Sequence, residues 1–189
     1  YAGNIVPSAA TGSGVFLASN YNITYTAGKL TVNALAVQLT GSRDYDGTAT
    51  AAAAILTVSN KVGSDTISVA SGSGALASAA VGARAITALG DLALGNNPDG
   101  NYTLTGATGS VTIGQRALTV TANDRSKTYG DVLALGTAAF TTSGNEASGE
   151  AVTAVTLTST DGKAGTAGTT VGEYAGNIVP SAATGSGGF

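Results

Sequence analysis

The chain repeats its own opening near its end. Residues 1–14, with the sequence YAGNIVPSAATGSG, return unchanged as residues 174–187, so the period is 174 − 1 = 173. The match runs on to Phe189 with one difference, Gly188 in place of Val15. Self-similarity at a fixed period is typical of proteins whose units stack in one direction. We therefore expect one period, plus a short overlap, of a tandem array of recently duplicated units.

A more diverged duplication lies inside that period. Residues 20–23 and 28–32 reappear as residues 101–104 and 109–113, and both pieces have the same offset, 101 − 20 = 109 − 28 = 81. Further landmarks recur in the same order, namely residues 45–47 and 129–131, 63–67 and 149–152, and 81–82 and 171–172. The sequence therefore predicts two related modules in each period. One spans residues 35–115. The other consists of residues 116–189 followed by residues 1–34 of the next copy.

Alternation of apolar and polar side chains predicts β-strands throughout the chain. Residues 21–32 alternate on either side of a short break, which is typical of a β-hairpin. The corresponding residues 102–113, with a glycine-flanked turn at 106–109, predict a second hairpin. Residues 37–39 and 118–120 predict the strand that opens each module. The predicted fold class is all-β, with small β modules in an elongated repeat array.

Two alanine-rich stretches leave a helix open as an alternative. Residues 49–56 and 147–154 have the composition of a short helix on intrinsic propensity alone. One helix per module would make the architecture β-grasp-like, and without it each module is a small sandwich. The glycine-rich residues 11–14 and 71–74 are interpreted as turns between strands rather than as linkers between domains.

The composition argues against catalysis, nucleic-acid binding and membrane insertion. The chain has no His, Cys, Met or Trp, so the commonest general base and all thiolate metal ligands are absent. A Ser or Thr nucleophile needs an activating base, and we therefore expect no enzymatic activity and no cofactor. The eight Lys and Arg residues are scattered and the net charge is −3, whereas phosphate binding needs clustered cations. No apolar run is long enough to cross a bilayer.

Short polar residues in two loops are weak candidates for a calcium site. Asp44 and Asp46 belong to one of these loops, and Asn97 and Asp99 belong to the other. Their oxygen atoms suit Ca²⁺, but neither group follows the spacing of a twelve-residue calcium loop. The alternative is that these residues form turns and hydrogen-bond to their own backbone. Residues 97–100, with the sequence NPDG, are predicted to form a tight turn.

Four tyrosines recur at matched positions in the two modules. Tyr45 is paired with Tyr102 in the first module, and Tyr129 with Tyr21 in the second. We expect these rings to be buried in the core, because the modules have few other large side chains. The alternative is an exposed platform on which sugar rings stack. The structural signature consists of these tyrosines and their neighbours Asn20, Asp46, Gly47, Asn101 and Gly130.

These landmarks together resemble two small repeat families of very large bacterial exoproteins. Residues 37–113, with the signature Tyr45-Asp46-Gly47, resemble a YDG domain. Residues 118–130, completed by residues 20–32 of the next copy, resemble an MBG domain of the YGX type. Both families occur in filamentous-haemagglutinin-like proteins of the two-partner-secretion type. The resemblance implies a secreted or cell-surface location and no catalytic residue.

The expected function is therefore structural. We expect a stalk or filament segment of a bacterial adhesin, in an extracellular fibre for attachment or biofilm matrix. Its partners would be neighbouring copies of the repeat, head to tail. The alternative is a repeated weak binding module for polysaccharide, ice or neighbouring fibres, in which avidity sums the contacts and the partner is a polysaccharide or a host or abiotic surface.

Overall fold

The structure is a computed structural model that describes residues 2–188, so that Tyr1 and Phe189, the ends of the repeated overlap, lie outside the described residues. Its strands are β1 (Ala2–Ile5), β2 (Gly28–Lys29), β3 (Leu35–Asp44), β4 (Thr50–Ala52), β5 (Leu56–Val58), β6 (Ser68–Ser71), β7 (Ser73–Leu76), β8 (Gly82–Ala88), β9 (Ala93–Gly95), β10 (Tyr102–Gly114), β11 (Val120–Ala122), β12 (Phe140–Thr142), β13 (Ala151–Ser159) and β14 (Ile178–Ser186). Within the described residues, the helical segments are three 3₁₀ turns, Ala18–Asn20, Ala53–Ile55 and Lys163–Gly165. The prediction of an all-β fold is confirmed.

One six-stranded sheet organises the middle of the chain, with the strand order β4-β7-β8-β10-β3-β5. β10 pairs with β3 in parallel, and every other neighbouring pair of this sheet is antiparallel. β10 is also the longest strand of the described chain and joins β8 to β3. The four remaining pairs, β1-β2, β6-β9, β11-β12 and β13-β14, are separate two-stranded sheets.

The hydrophobic core belongs to the six-stranded sheet and the segments that cover it. In β3, Val37 and Leu39 point inward while the alternate residues Gln38 and Thr40 face solvent, as the period of two requires. The buried cluster consists of Val37, Leu39, Ala51, Ala53, Leu56, Val58, Ile67, Leu76, Leu92, Tyr102, Val111 and Ile113. No side chain of residues 3–34 is buried. The buried apolar residues of the C-terminal part are Ala147, Val155, Leu157 and Ala164.

The predicted hairpin at residues 102–113 is wrong, because these residues form the single strand β10. The strand pairs with β3 at Thr103 opposite Ala36 and next at Thr108 opposite Gln38, so the intervening residues bulge out of the ladder. Gly106, with φ of +76°, lies in that bulge, where the sequence predicted a turn. Because β10 has neighbours on both edges, β3 and β8, one long strand gains more hydrogen bonds than a hairpin paired with itself.

The predicted hairpin at residues 21–32 is also wrong. Within it only Gly28–Lys29 forms a strand, β2, which pairs with β1 at Ala2 and Ile5. The rest of the segment has no strand neighbour in the described chain. Alternation in a sequence requires a pleated backbone only where a neighbouring strand supplies the hydrogen bonds.

Neither alanine-rich stretch forms the helix of a β-grasp-like module. Residues 49–56 contain β4 and the 3₁₀ turn Ala53–Ile55, and residues 147–154 lead into β13. Ala51 and Ala53 are buried in the core, where pairing and packing override the weak intrinsic preference of alanine for helix. The turn predicted at 71–74 is confirmed as a break between β6 and β7 at Gly72, which has φ of +87°.

Candidate functional site

The signature loop Tyr45-Asp46-Gly47 packs against the loop that precedes β13. The Tyr45 hydroxyl donates a hydrogen bond to Oε1 of Glu150, and this bond raises the pKa of Tyr45 above its usual value. A Cβ atom on Gly47 would lie 3.2 Å from the Cβ of Ala147, and the φ of Gly47 is +79°. The loop thus joins the six-stranded sheet to the C-terminal part of the chain. Its partners Glu150 and Ala147 were missed from the sequence, although Glu150 falls within a repeated landmark.

The first pair of calcium candidates is engaged in a turn. Oδ1 of Asp46 accepts hydrogen bonds from the amide and the hydroxyl of Thr48, both at 2.8 Å, and forms an ion pair with Arg43. Desolvation acts to raise the pKa of Asp46, but the hydrogen bonds from Thr48 and Arg43 together outweigh it and lower that pKa. Asp44, at the end of β3, is exposed. All three donors contact Oδ1, so Asp46 is held in a turn by its own neighbours, as the alternative to a calcium site predicts.

The second pair is built into the start of β10. Residues 97–100 form the predicted turn, closed by a 3.2 Å hydrogen bond from the Gly100 amide to the Asn97 carbonyl. The Asn97 side chain donates to the Tyr102 carbonyl at 2.8 Å and accepts from the Tyr102 amide at 3.2 Å. Asp99 is exposed. Because β3 and β10 are parallel, these residues lie at the opposite end of the strand pair from Asp44, and no cluster of three metal-ligating residues occurs within residues 2–188.

Tyr102 is the one signature tyrosine that is fully enclosed. It is 6% exposed, and its hydroxyl donates to Oδ2 of Asp65 at 2.6 Å and accepts from the Val62 amide at 2.8 Å. Donation to Asp65 is the main reason why the pKa of Tyr102 is raised. Tyr45 is partly buried beside Gly114, at the other end of β10, so the expected Tyr45 and Tyr102 pair is not formed.

The expected burial of Tyr21 and Tyr129 is wrong, because their side chains are 61% and 65% exposed. Tyr21 stacks on Phe16, with ring centroids 5.3 Å apart, in a segment that contributes nothing to the core. Tyr129 lies beside a turn at Gly130. Tyr21 and Tyr129 lie outside every strand of the described residues, so no sheet covers their rings.

The raised pKa of Tyr102 predicts that the folded chain loses stability at alkaline pH. A folded-state pKa above the unfolded value means that the stabilisation is complete below the ordinary tyrosine pKa of about 10. It is then lost as the pH rises through the folded-state value. We expect the urea midpoint of the wild-type chain to fall above that pH, and the midpoint of Tyr102→Phe to fall less steeply. Tyr21→Phe, at the matched exposed position, serves as the control. Equal slopes for Tyr102→Phe and the wild type would show that the phenol does not titrate with folding.

A groove of about 570 Å³ opens beside Tyr129 in the C-terminal part. Lys127 forms one side of it, with Nζ donating to the carbonyls of Lys163 at 2.5 Å and Thr166 at 2.7 Å. Nζ of Lys163 lies 4.6 Å from the ring centroid of Tyr174, which is exposed in the groove. The groove therefore presents two aromatic rings beside fixed polar groups.

The duplicated opening sequence adopts two different conformations. In the first copy, Ala2–Ile5 is a strand and residues 6–13 are irregular. In the second copy, the residues that match Ala2 and Gly3 form a turn, and Ile178–Ser186 is the strand β14, paired antiparallel with β13. The sequence that forms β14 is the same in both copies, and the difference is the neighbouring strand β13.

β11 carries an unpaired edge. The amides of Ser143 and Asn123 donate 2.9 Å hydrogen bonds to the carbonyls of Thr119 and Ala139, which places the polar groups of 119, 121 and 123 toward β12. The backbone groups of Val120 and Ala122 point to the opposite side because backbone direction alternates along a strand. β14 approaches β11 without forming a ladder with it, so the described chain leaves that edge unpaired.

Part of the chain matches a known protein family. Residues 26–110 match the model of the YDG domain family, a segment that contains five of the six strands of the central sheet and most of β10. No curated protein and no solved structure matches the chain. The helical turns of the described residues include none with the length and hydropathy needed to cross a membrane.

Proposed function

Since residues 26–110 match the model of the YDG domain family, we propose that the chain is a structural repeat, a stalk or filament segment, of a bacterial adhesin. The fibre lies outside the cell, either secreted by the two-partner route or held at the cell surface. It serves attachment or the biofilm matrix by giving reach to an adhesive region elsewhere in the protein. In this role the surface of each unit is a spacer, and its specific contacts are those with neighbouring units.

The observation that carries the proposal is the unchanged return of residues 1–14 as residues 174–187. The second copy forms the strand β14, paired with β13, so it is part of a folded unit there and not a linker. In a tandem array the same residues close one period and open the next. Near-identity over the overlap suits a spacer, because a spacer tolerates changes in copy number.

The contact of the signature loop supports a stiff unit. Tyr45 and Gly47 project from the six-stranded sheet onto Glu150 and Ala147 of the C-terminal part. A packed contact between consecutive parts of a chain limits their relative motion, whereas a flexible linker leaves it free. The carbonyl-bound Lys127 ties together a further part of the same C-terminal region.

Small-angle X-ray scattering on proteins of one, two and three periods tests the proposal. We expect the maximum dimension to increase in proportion to the number of periods. A compact chain would instead increase its radius of gyration only as roughly the 0.38 power of its length. The variant Glu150→Ala is expected to make the particles more flexible, and Glu173→Ala, at an exposed position, is the matched control. Compact particles for two and three periods would contradict a spacer role.

A repeated weak binding module for polysaccharide is the second candidate, and the groove beside Tyr129 favours it. Exposed aromatic rings next to polar groups are the usual means by which proteins stack on sugars. A glycan array and an ice-affinity assay on a protein of two periods separate the two candidates. Specific binding that is lost in Tyr129→Ala and Tyr174→Ala would contradict a pure spacer.

A further inference from the structure

In the part of the chain that the structure describes, β11 of the second module has no neighbour that corresponds to β10, the strand that joins β8 to β3 in the first module. β11 pairs with β12 in the register that β3 has with β5, since Val120 faces Thr142 as Leu39 faces Val58. The position numbers differ by 120 − 39 = 81 and 142 − 58 = 84, and the repeated landmarks at 20–23 and 45–47 have these same two offsets. In the six-stranded sheet β10 lies on the other edge of β3, and the corresponding edge of β11 is the unpaired one.

The chain contains the sequence of a corresponding strand in residues 21–33, of which only Gly28 and Lys29 are paired, with β1. The match between residues 28–32 and 109–113 makes Leu30 correspond to Val111 and Val32 to Ile113. Val111 and Ile113 are 0% and 1% exposed in β10, whereas Leu30 and Val32 are 43% and 70% exposed. Residues 21–33 thus have the apolar side of a core strand and display it to solvent.

A glycine gives an independent indication that residues 21–33 are suited to the pairing that β10 makes with β3. A Cβ on Gly109 would overlap the carbonyl oxygen of Leu39, so β10 can approach β3 only with glycine at that position. The corresponding residue in residues 21–33 is Gly28. In its present position a Cβ on Gly28 would lie 3.5 Å from the Cβ of Ile5, which is an ordinary contact. Glycine is required where β10 pairs with β3, whereas the observed pairing of Gly28 with β1 does not require it.

We propose that residues 21–33 of one copy add to the open edge of β11 in a second copy, as a parallel strand in the register of β10 on β3. Gly28 then lies opposite Val120, Lys29 opposite Thr121, and Leu30 opposite Ala122. The addition satisfies the backbone groups of Val120 and Ala122 and buries Leu30 and Val32. The short β1-β2 pairing opens as the strand is donated.

The contact is head to tail, since each copy offers a different surface at its two ends. Such a heterologous contact leaves one donor and one acceptor free at the two ends of each pair, so further copies add to it, and they form a filament where the rotation between successive copies does not close a ring. This inference rests on the proposed structural-repeat function and specifies the contact between units. It assigns the donor segment, the acceptor strand, their relative direction and their register.

Disulfide cross-linking tests the register, because the chain has no native Cys. Lys29→Cys and Thr121→Cys are introduced in separate molecules, at positions exposed in this structure, and the two variants are mixed. We expect a disulfide-linked pair that neither variant forms alone. Lys29→Cys mixed with Asn123→Cys, at the next position along the same face, is the register control and is expected to cross-link far less.

The donor is tested by light scattering as a function of concentration. Leu30→Asp is expected to weaken head-to-tail association by more than about tenfold, because it places a carboxylate in the contact. Val15→Asp is the control, at a residue of the same N-terminal part that is 95% exposed. Neither variant is expected to change the urea midpoint, since both positions are exposed in the separate chain.

The outcomes distinguish this inference from the proposed function. A monomer at all concentrations, or association without the Lys29 to Thr121 cross-link, overturns the strand addition. Growth of the particle in proportion to period number would still support the spacer function in that case. If the cross-link forms in register but proteins of several periods are compact, the strand addition stands and the spacer function fails.

Discussion

Replacing Ile113 by alanine is expected to lower the free energy of unfolding by about 2–5 kcal/mol. Ile113 is fully enclosed near the end of β10, between β3 on one edge and β8 on the other. Removing its side chain loses apolar burial and leaves a cavity that two paired strands cannot close. Urea denaturation followed by circular dichroism measures the change.

The matched control is Val32→Ala, at the corresponding position of the duplicated segment. Val32 is exposed, and we expect its replacement to change stability by no more than about 0.5 kcal/mol in the separate chain. A similar loss in both variants would mean that residues 21–33 already contribute to a core, contrary to the structure.

Adding a methyl group at Gly109 is the second large effect. The Cβ of Gly109→Ala would overlap the carbonyl oxygen of Leu39 and lie 2.8 Å from its Cβ. Both atoms are fixed by the pairing of β3 with β10, so the strands must separate, at a cost of about 1–3 kcal/mol or more. The melting temperature measured by circular dichroism is expected to fall accordingly.

Gly28→Ala tests the same chemical change where the structure leaves room. Its Cβ meets Ile5 at an ordinary distance, and the melting temperature of the separate chain should stay close to that of the wild type. A fall as large as that of Gly109→Ala would show that the two glycines already occupy equivalent environments.

The sequence predicts a strand well where its partner is also clear from local pattern. Val37 and Leu39 alternate with polar residues and lie in the core as expected. Residues 102–113 alternate just as clearly, yet the partner that makes them one strand, β3, begins at Leu35. Alternation specifies which side chains share a face but not which strand lies alongside. The hairpin prediction was therefore wrong, whereas the prediction of which side chains point inward was right.

The duplicated sequence separates local from long-range effects. Ala9 and its copy Ala182 both have positive φ, 49° and 45°, although alanine rarely adopts that conformation. The local sequence therefore determines this kink in both copies. Whether the flanking residues form a strand depends on β13, which pairs with one copy only. No property of the duplicated sequence alone distinguishes the two outcomes.

The candidate site was predicted in part. The turn at residues 97–100 and the self-bonded Asp46 follow from short polar residues next to glycine. The predicted burial of Tyr129 is wrong, because a ring is buried only when a second segment covers it, and Tyr129 is exposed. Asp65 and Glu150, the acceptors for Tyr102 and Tyr45, lie far along the chain from the tyrosines they bind. Their occurrence in matched landmarks was the only available signal.

The parallel pairing of β3 with β10 has a mechanical consequence. The chain enters the six-stranded sheet at Leu35, the beginning of β3, and leaves it at Gly114, the end of β10. Because the two strands are adjacent and point the same way, tension along the chain pulls them past each other lengthwise. All the hydrogen bonds of the ladder then bear the load together, whereas strands that peel apart break them one after another. The resistance of this pair of strands to shear, more than the total stability of the sheet, sets the force at which the unit opens.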